Sequence, residues 1–247
     1  MQTVFEQKPK RTDWHDMPDV AIVAPEHVVK QHPSYPAAKT GNVDAAVDLV
    51  IDVMNVKADR KLRRLIGRDQ PIVVPVHAVE GKSTNVIPRV YADFFVEKYD
   101  LRVDESILQI NRVSHTSSSG YHRLATPAIF AGDVLGEANY LIVDDFIGQG
   151  GTVASIKGYI ESEGGIVTGV STLTGQRRSA TITLSNDTLV KLRDKHEDLE
   201  QWWYQVFGYG FEFLTESEAR YLIRSQDADT IRDRLAQAAR AASESLR

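Results

Sequence analysis

The chain has 247 residues, of which 42% are hydrophobic and 26% charged, as in a globular protein with one large domain or one domain and a small addition. Lysine and arginine total 29 against 34 aspartates and glutamates, so the net charge of −5 gives no overall attraction to nucleic acid. The absence of cysteine excludes disulfides, cysteine-ligated zinc and a thiol nucleophile.

The first 34 residues predict an N-terminal arm followed by one strand. Residues 1–18 are polar and contain two prolines, which indicates an arm outside the core. Residues 19–25 form a short apolar run that ends at a proline and predicts the first strand. Residues 31–36 contain two further prolines, which predict a loop.

Residues 35–178 alternate between apolar strand-like runs and helical periodicity. The predicted order is a helix capped by Asn42, a strand at 70–76, a loop at 77–84, a helix from Ile87, a strand at 107–110, a polar loop at 111–123, a strand at 139–143, a helix after Thr152 and a strand at 166–173. This alternation through short turns predicts an α/β fold with a mainly parallel central sheet and helices on both faces.

Residues 179–247 predict a helical C-terminal extension. A first helix is expected after a cap from the run of Ser185, Asn186 and Asp187. A second is expected after Thr215, which forms a capping box with Glu218, and a last one after Asp229. Three consecutive aromatic residues, Trp202, Trp203 and Tyr204, lie on a helix whose apolar face needs large side chains, so core packing is favoured over stacking on a substrate base.

Residues 141–152 carry the most specific chemical signal. The buried strand ends in Asp144 and Asp145, and a glycine-rich turn then opens a helix. The backbone amides of such a turn and of the helix start form a concave anion site, in which Thr152 adds a hydroxyl donor. Two carboxylates beside that site suit ribose hydroxyls or a hydrated magnesium ion. The combination predicts phosphate binding rather than a solvated turn.

This segment resembles the phosphoribosyl pyrophosphate (PRPP) binding motif of type I phosphoribosyltransferases, and the order of strands and loops is similar over residues 35–175. The resemblance implies that Asp144 and Asp145 face the ribose hydroxyls and contact Mg²⁺ through water. It further implies that the 5-phosphate is bound by the residues of the turn, namely Gly148, Gln149, Gly150, Gly151 and Thr152. Receiver domains and haloacid-type phosphatases also place acids after a strand, but they lack this glycine turn at a helix start.

Two positions depart from the family pattern. Gly148 stands where purine-salvage members carry an acid for proton transfer to the base, which removes support for that role. Gln149 replaces a threonine that usually donates to the phosphate, although a glutamine side chain also donates.

Two other segments correspond to loops of this family. The pyrophosphate loop would comprise His77, Ala78, Val79, Glu80, Gly81 and Lys82, with Lys82 as its charge. The segment 111–123 would be the mobile loop that closes over pyrophosphate, with Arg112, His115, His122 and Arg123 as candidate contacts. Arg123 is preferred because a guanidinium recognises diphosphate through a rigid fork. For both segments the alternative is an ordinary solvated surface loop.

The resemblance implies a phosphoribosyltransferase of nucleotide metabolism that uses Mg²⁺ and moves ribose 5-phosphate between PRPP and a nitrogenous base, with release of pyrophosphate. Lys82, Arg123, Asp144 and Asp145 would be the catalytic residues. The alternative is a regulatory protein of the same fold that senses PRPP or a nucleotide without chemistry.

The remaining expectations concern partners and location. PRPP or a nucleoside monophosphate is the expected ligand, nucleic acid is not an expected partner, and the nitrogen acceptor cannot be identified from the residues. The family usually dimerises, which makes a homodimer the assembly to test. The chain has neither an apolar run of about 20 residues nor an apolar block near Met1, so we expect a cytoplasmic protein without membrane contact.

Overall fold

The computed structural model describes residues 8–77, 85–111 and 119–245. Within these ranges the strands are β1 (Ala21–Pro25), β2 (Ile72–Pro75), β3 (Leu108–Gln109), β4 (Phe130–Ala131), β5 (Asn139–Ile147) and β6 (Ile166–Gly175). The helices are α1 (Glu26–Lys30), α2 (Tyr35–Lys39), α3 (Val43–Val53), α4 (Val56–Ile66), α5 (Ile87–Tyr99), α6 (Gly120–Ala125), α7 (Gly151–Ser162), α8 (Asn186–Lys195), α9 (Leu199–Phe207), α10 (Glu216–Ile223) and α11 (Ala228–Ser245).

The central sheet has four parallel strands in the order β1-β6-β5-β2, which confirms the predicted α/β class and mainly parallel sheet. Side chains alternate across β5: Leu141 and Val143 pack into a core cluster with α3 and α5, whereas Tyr140 and Ile142 pack into a second cluster with α7. Helices therefore cover both faces of the sheet. The predicted strand at 107–110 shortens to β3, which pairs antiparallel with β4 in a separate two-stranded sheet.

Strand β5 is longer than predicted, and this changes the position of the acids. It continues to Ile147 because β6 runs beside it to its end, with Asp144 opposite Thr172 and Ile147 opposite Gly175. Asp144 and Asp145 therefore belong to the strand itself and are buried with it, since each is only 8% exposed.

The N-terminal arm contributes to the core, contrary to the prediction. Residues 8–18 form neither helix nor strand, but Trp14 is buried between the sheet, α7 and the C-terminal part of the chain. Its indole Nε1 donates to the carbonyl of Leu214 at 2.9 Å. One large aromatic side chain thus anchors a segment whose average composition is polar.

Local predictions around the helix starts are confirmed at three positions and wrong at others. Asn42 and Thr215 cap α3 and α10 as expected, and of the three consecutive residues expected to cap α8 the cap is the first, Ser185. The predicted loop at 31–36 is wrong at its end, because α2 begins at Tyr35 and accommodates a proline in its first turn, where no intrahelical donor is needed. The cap of α11 is Asp227, which accepts from the amide of Thr230 at 2.7 Å, rather than Asp229. 

The C-terminal extension is helical, as predicted, and has its own hydrophobic cluster. Its core contains the fully buried Trp203 together with side chains from α8 to α11, and Trp202 packs against it, so the predicted packing role is confirmed for both tryptophans. The prediction is wrong for Tyr204, which is 60% exposed because it lies on the outer face of α9. The short helix α6 joins this cluster through Tyr121 and Leu124. None of the helices in the described ranges combines the length and hydropathy that a bilayer crossing requires.

Candidate functional site

The glycine-rich turn connects the carboxyl end of β5 to the start of α7. Gly150 adopts a left-handed backbone, with φ of 82°, which glycine tolerates without the steric cost of a β-carbon. In the described part of the chain, no oxygen accepts a hydrogen bond from the amides of Gly148 to Thr152. Several donors at a helix N-terminus are thus available to an anion.

Arg123 is one predicted site residue that the structure brings to this turn. Its Nη1 atom lies 3.0 Å from the position that a β-carbon on Gly148 would take. Its Nε atom is buried and has no acceptor among the described residues. Arg123 lies on α6, which Ser119 caps, so the predicted loop ends as a helix here. The guanidinium occupies space that a larger residue at position 148 would fill.

Asp145 forms an ion pair that the sequence did not reveal. Its Oδ2 accepts from Lys39 Nζ of α2 at 2.7 Å, and the carboxyl group is 11% exposed. Burial by itself lowers the pKa of Lys39, but the charge and hydrogen bond of Asp145 outweigh it and raise that pKa. A lysine after two prolines carries no motif, so only the folded chain identifies it.

Asp144 has a different environment from its neighbour. Its Oδ1 accepts from the backbone amide of Asp145 at 2.7 Å. Burial raises the pKa of Asp144 well above its usual range, and the charge of Asp145 adds to this effect. The pair therefore consists of one carboxylate stabilised by a cation and one carboxyl group that resists ionisation.

The predicted magnesium site rests on this pair alone. Among the described residues, no group of three or more histidines, aspartates or glutamates is placed to hold a metal ion. Mg²⁺ commonly retains several waters and contacts one or two carboxylates together with substrate phosphates, and in that mode Asp144 and Asp145 would be its carboxylate ligands. The ion itself stays a prediction.

Of the predicted pyrophosphate loop, only His77 is described. It follows β2 at the same edge of the sheet as the turn, its carbonyl accepts from the amide of Gln109 at 2.9 Å, and its Nδ1 lies 3.1 Å from the carbonyl oxygen of Pro75. Ala78, Val79, Glu80, Gly81 and Lys82 lie outside the described residues, as do Arg112 and His115. His122 is described, on the first turns of α6, and is half-buried.

The back of the turn contacts the C-terminal extension and the N-terminal arm. The hydroxyl of Thr215 donates to the carbonyl of Gln149 at 2.6 Å. Glu218 Oε1 lies 2.6 Å from the position that a β-carbon on Gly151 would take, and Arg11 pairs with the same carboxylate. The capping box at Thr215 is visible in the sequence, but its contact with the turn is not.

Comparison with known proteins shows two similar chains, and no family model matches. The chain is 36% identical to Protein TraN of Escherichia coli over 230 residues, which cover 93% of this chain and 51% of TraN. It is 38% identical over 159 residues to an uncharacterized protein of Haemophilus influenzae, covering 64% of this chain and 36% of that protein. The chain thus spans about half the length of TraN and about a third of the other relative. Neither name states an activity.

Proposed function

We propose that this chain is a Mg²⁺-dependent phosphoribosyltransferase that transfers ribose 5-phosphate between PRPP and a nitrogen nucleophile and releases pyrophosphate. The observation that carries the proposal is the set of amides from Gly148 to Thr152, which have no acceptor in the described structure. They lie at the carboxyl end of a buried parallel strand, which is where open α/β sheets bind ligands. The resemblance of residues 141–152 to the PRPP motif supports the 5-phosphate of PRPP as the anion that these amides would bind.

The charges around the turn suit this reaction. Breaking the anomeric C–O bond makes the ribose cationic and the departing pyrophosphate more anionic. Asp144 and Asp145 would face the ribose: the carboxylate of Asp145 would stabilise the cation by its negative charge, and Asp144 would accept hydrogen bonds from the ribose hydroxyls. Arg123, beside Gly148, would balance charge on the phosphate side. Bound Mg²⁺ would supply further neutralisation of the diphosphate.

The direct test is calorimetric titration with PRPP and with nucleoside monophosphates, each in the presence of Mg²⁺, alongside a pyrophosphate-release assay with a panel of bases. Thr152→Val removes the hydroxyl in the first turn of α7 and keeps the side-chain shape. Loss of a hydrogen bond to a charged group costs about 1.5–3 kcal/mol, so affinity should fall about 10- to 150-fold.

Thr230→Val is the matched control, because Thr230 also lies in the first turn of a helix but on α11. It should leave binding unchanged. If the wild-type protein binds neither PRPP nor any nucleotide, or if both variants bind as the wild type does, the proposed site is wrong.

A sensor of PRPP or nucleotides is the second candidate function. It is favoured by the direct contact of Thr215 and Glu218 with the turn, through which an occupied site would act on the C-terminal helices. A sensor binds PRPP without releasing pyrophosphate with any acceptor, whereas an enzyme turns over with at least one base in the panel.

A further inference from the structure

Thr215 joins the start of α10 to the phosphate turn through one hydroxyl group. The side chain is fully buried. Its Oγ1 donates to the carbonyl of Gln149 at 2.6 Å and accepts from the amide of Glu218 at 3.0 Å. The single hydroxyl proton is therefore committed to the turn, while the oxygen caps the helix.

This contact sets the direction of one of the amides in the turn. In a planar trans peptide the C=O and the N–H point in opposite directions. Because Thr215 holds the carbonyl of Gln149 at the back of the turn, the N–H of Gly150 is directed to the other side, away from α10. Thr215 thus orients a donor that the proposed phosphate site needs.

A buried ion pair fixes α10 beside the first residue of α7. Both oxygens of Glu218 pair with Arg11 at 3.1 Å, and the two side chains are each 3% exposed. One of those oxygens lies close enough to Gly151 to exclude a β-carbon there. The N-terminal arm, α10 and the turn therefore form a continuous packed unit.

The other side of the turn depends on the same C-terminal helices. Arg123 reaches Gly148 from α6, whose apolar face packs into the C-terminal cluster. Tyr121 of α6 makes a hydrogen bond with Ser225 and an edge contact with the ring of Tyr221, with centroids 5.0 Å apart. Displacement of the C-terminal helices would thus move both Thr215 and Arg123.

We propose that Thr215 is a positioning residue for phosphate binding, and that occupancy of the turn and packing of the C-terminal helices are thermodynamically coupled. The inference rests on the proposed phosphate binding and adds the means by which the site is regulated. Coupling is reciprocal: anion binding stabilises the packing of α10, and loosening α10 weakens anion binding by the same factor.

The test uses inorganic phosphate as the probe, because it reports on the turn without requiring ribosyl transfer. Thr215→Val removes both hydrogen bonds, and Thr215→Ser restores the hydroxyl. Asn55→Ala is the matched control, since it also removes a helix cap, that of α4, but α4 has no residue in the C-terminal cluster. Affinity is measured by titration, with the chemical shift of the Gly150 amide, at a temperature where circular dichroism shows each variant folded.

We expect Thr215→Val to weaken phosphate binding at least about fivefold, the lower end of ordinary coupling between sites, with recovery in Thr215→Ser and no change in Asn55→Ala. If the valine variant binds as the wild type does, the inference is wrong and the proposed function stands. If phosphate does not change the chemical shift of the Gly150 amide in the wild type, both this inference and the proposed function are wrong.

Hydrogen exchange on the wild type covers the case in which Thr215→Val does not fold. Phosphate should slow exchange in residues 211–225, and unchanged exchange there during proven binding would overturn the coupling.

Discussion

Replacing the two adjacent aspartates singly by asparagine should change the free energy of unfolding in opposite directions. Asp145→Asn removes the anion that pairs with Lys39 at 2.7 Å. Asp144→Asn removes a buried carboxyl group whose pKa is raised by burial and by the charge of Asp145. The asparagine oxygen at position 144 still accepts from the amide of Asp145, so the geometry is preserved.

The magnitudes follow from the exposure of the partners. A hydrogen bond between charged groups contributes about 1.5–3 kcal/mol, but Lys39 is 37% exposed and water screens the pair, so Asp145→Asn should cost about 1 kcal/mol. Relief of desolvation and repulsion at Asp144 should stabilise by about 1–3 kcal/mol. At about 2–4 °C per kcal/mol, both shifts are measurable in Tm.

The effect at Asp144 depends on pH with a definite sign. Because its folded pKa lies above the ordinary value of 3.8, the folded state binds more protons than the unfolded state between those two values. Stability of the wild type therefore falls as pH rises through that window, and Asp144→Asn escapes this loss. The advantage of asparagine should be absent near pH 4 and should grow as pH rises towards the raised folded pKa.

Urea unfolding between pH 5 and 8, monitored by tryptophan fluorescence, gives the free energy of unfolding of the wild type and of both variants. Shifts of the same sign at pH 8, or a gain at position 144 that does not vary with pH, would refute this account of the pair. The stabilised Asp144→Asn protein should bind or turn over PRPP less well, since a costly carboxyl group at a ligand site is retained for function rather than for stability.

Three further substitutions test the packing that positions the site, and the cost of each is the decrease in the free energy of unfolding measured by chemical denaturation. Gly150→Ala should cost about 1–2 kcal/mol, because alanine is strained at a φ of 82°; an unchanged midpoint would contradict that conformation. Trp14→Phe should lower the free energy of unfolding by about 1–3 kcal/mol, because it leaves the Leu214 carbonyl without its donor. An unchanged midpoint would show that the N-terminal arm does not pack there. Lys157→Met should cost about 3 kcal/mol, because the buried ammonium pairs with Glu161 at 2.7 Å, and a neutral result would exclude that pair.

The order of strand, turn and helix from β5 to α7 was predictable from the sequence because its determinants are local, whereas the end of β5 was not, because pairing with β6 extends it. A run of apolar residues defines the buried strand, and glycines followed by Thr152 define the turn and helix start, all within neighbouring residues. The caps at Asn42, Ser185 and Thr215 belong to the same class, since a capping side chain binds an amide two or three residues away. The alternation of such units also specified the α/β class and the parallel sheet.

The partners of the turn were decided only by the tertiary structure. Lys39 lies 106 residues before Asp145, and Thr215 lies 66 residues after Gln149, so no local pattern connects them. Arg123 was expected at the site from the resemblance, but its place against Gly148 depends on how α6 packs on the C-terminal helices. Local sequence specifies which backbone donors exist, whereas long-range packing determines which side chains surround them and how strongly burial changes their charge.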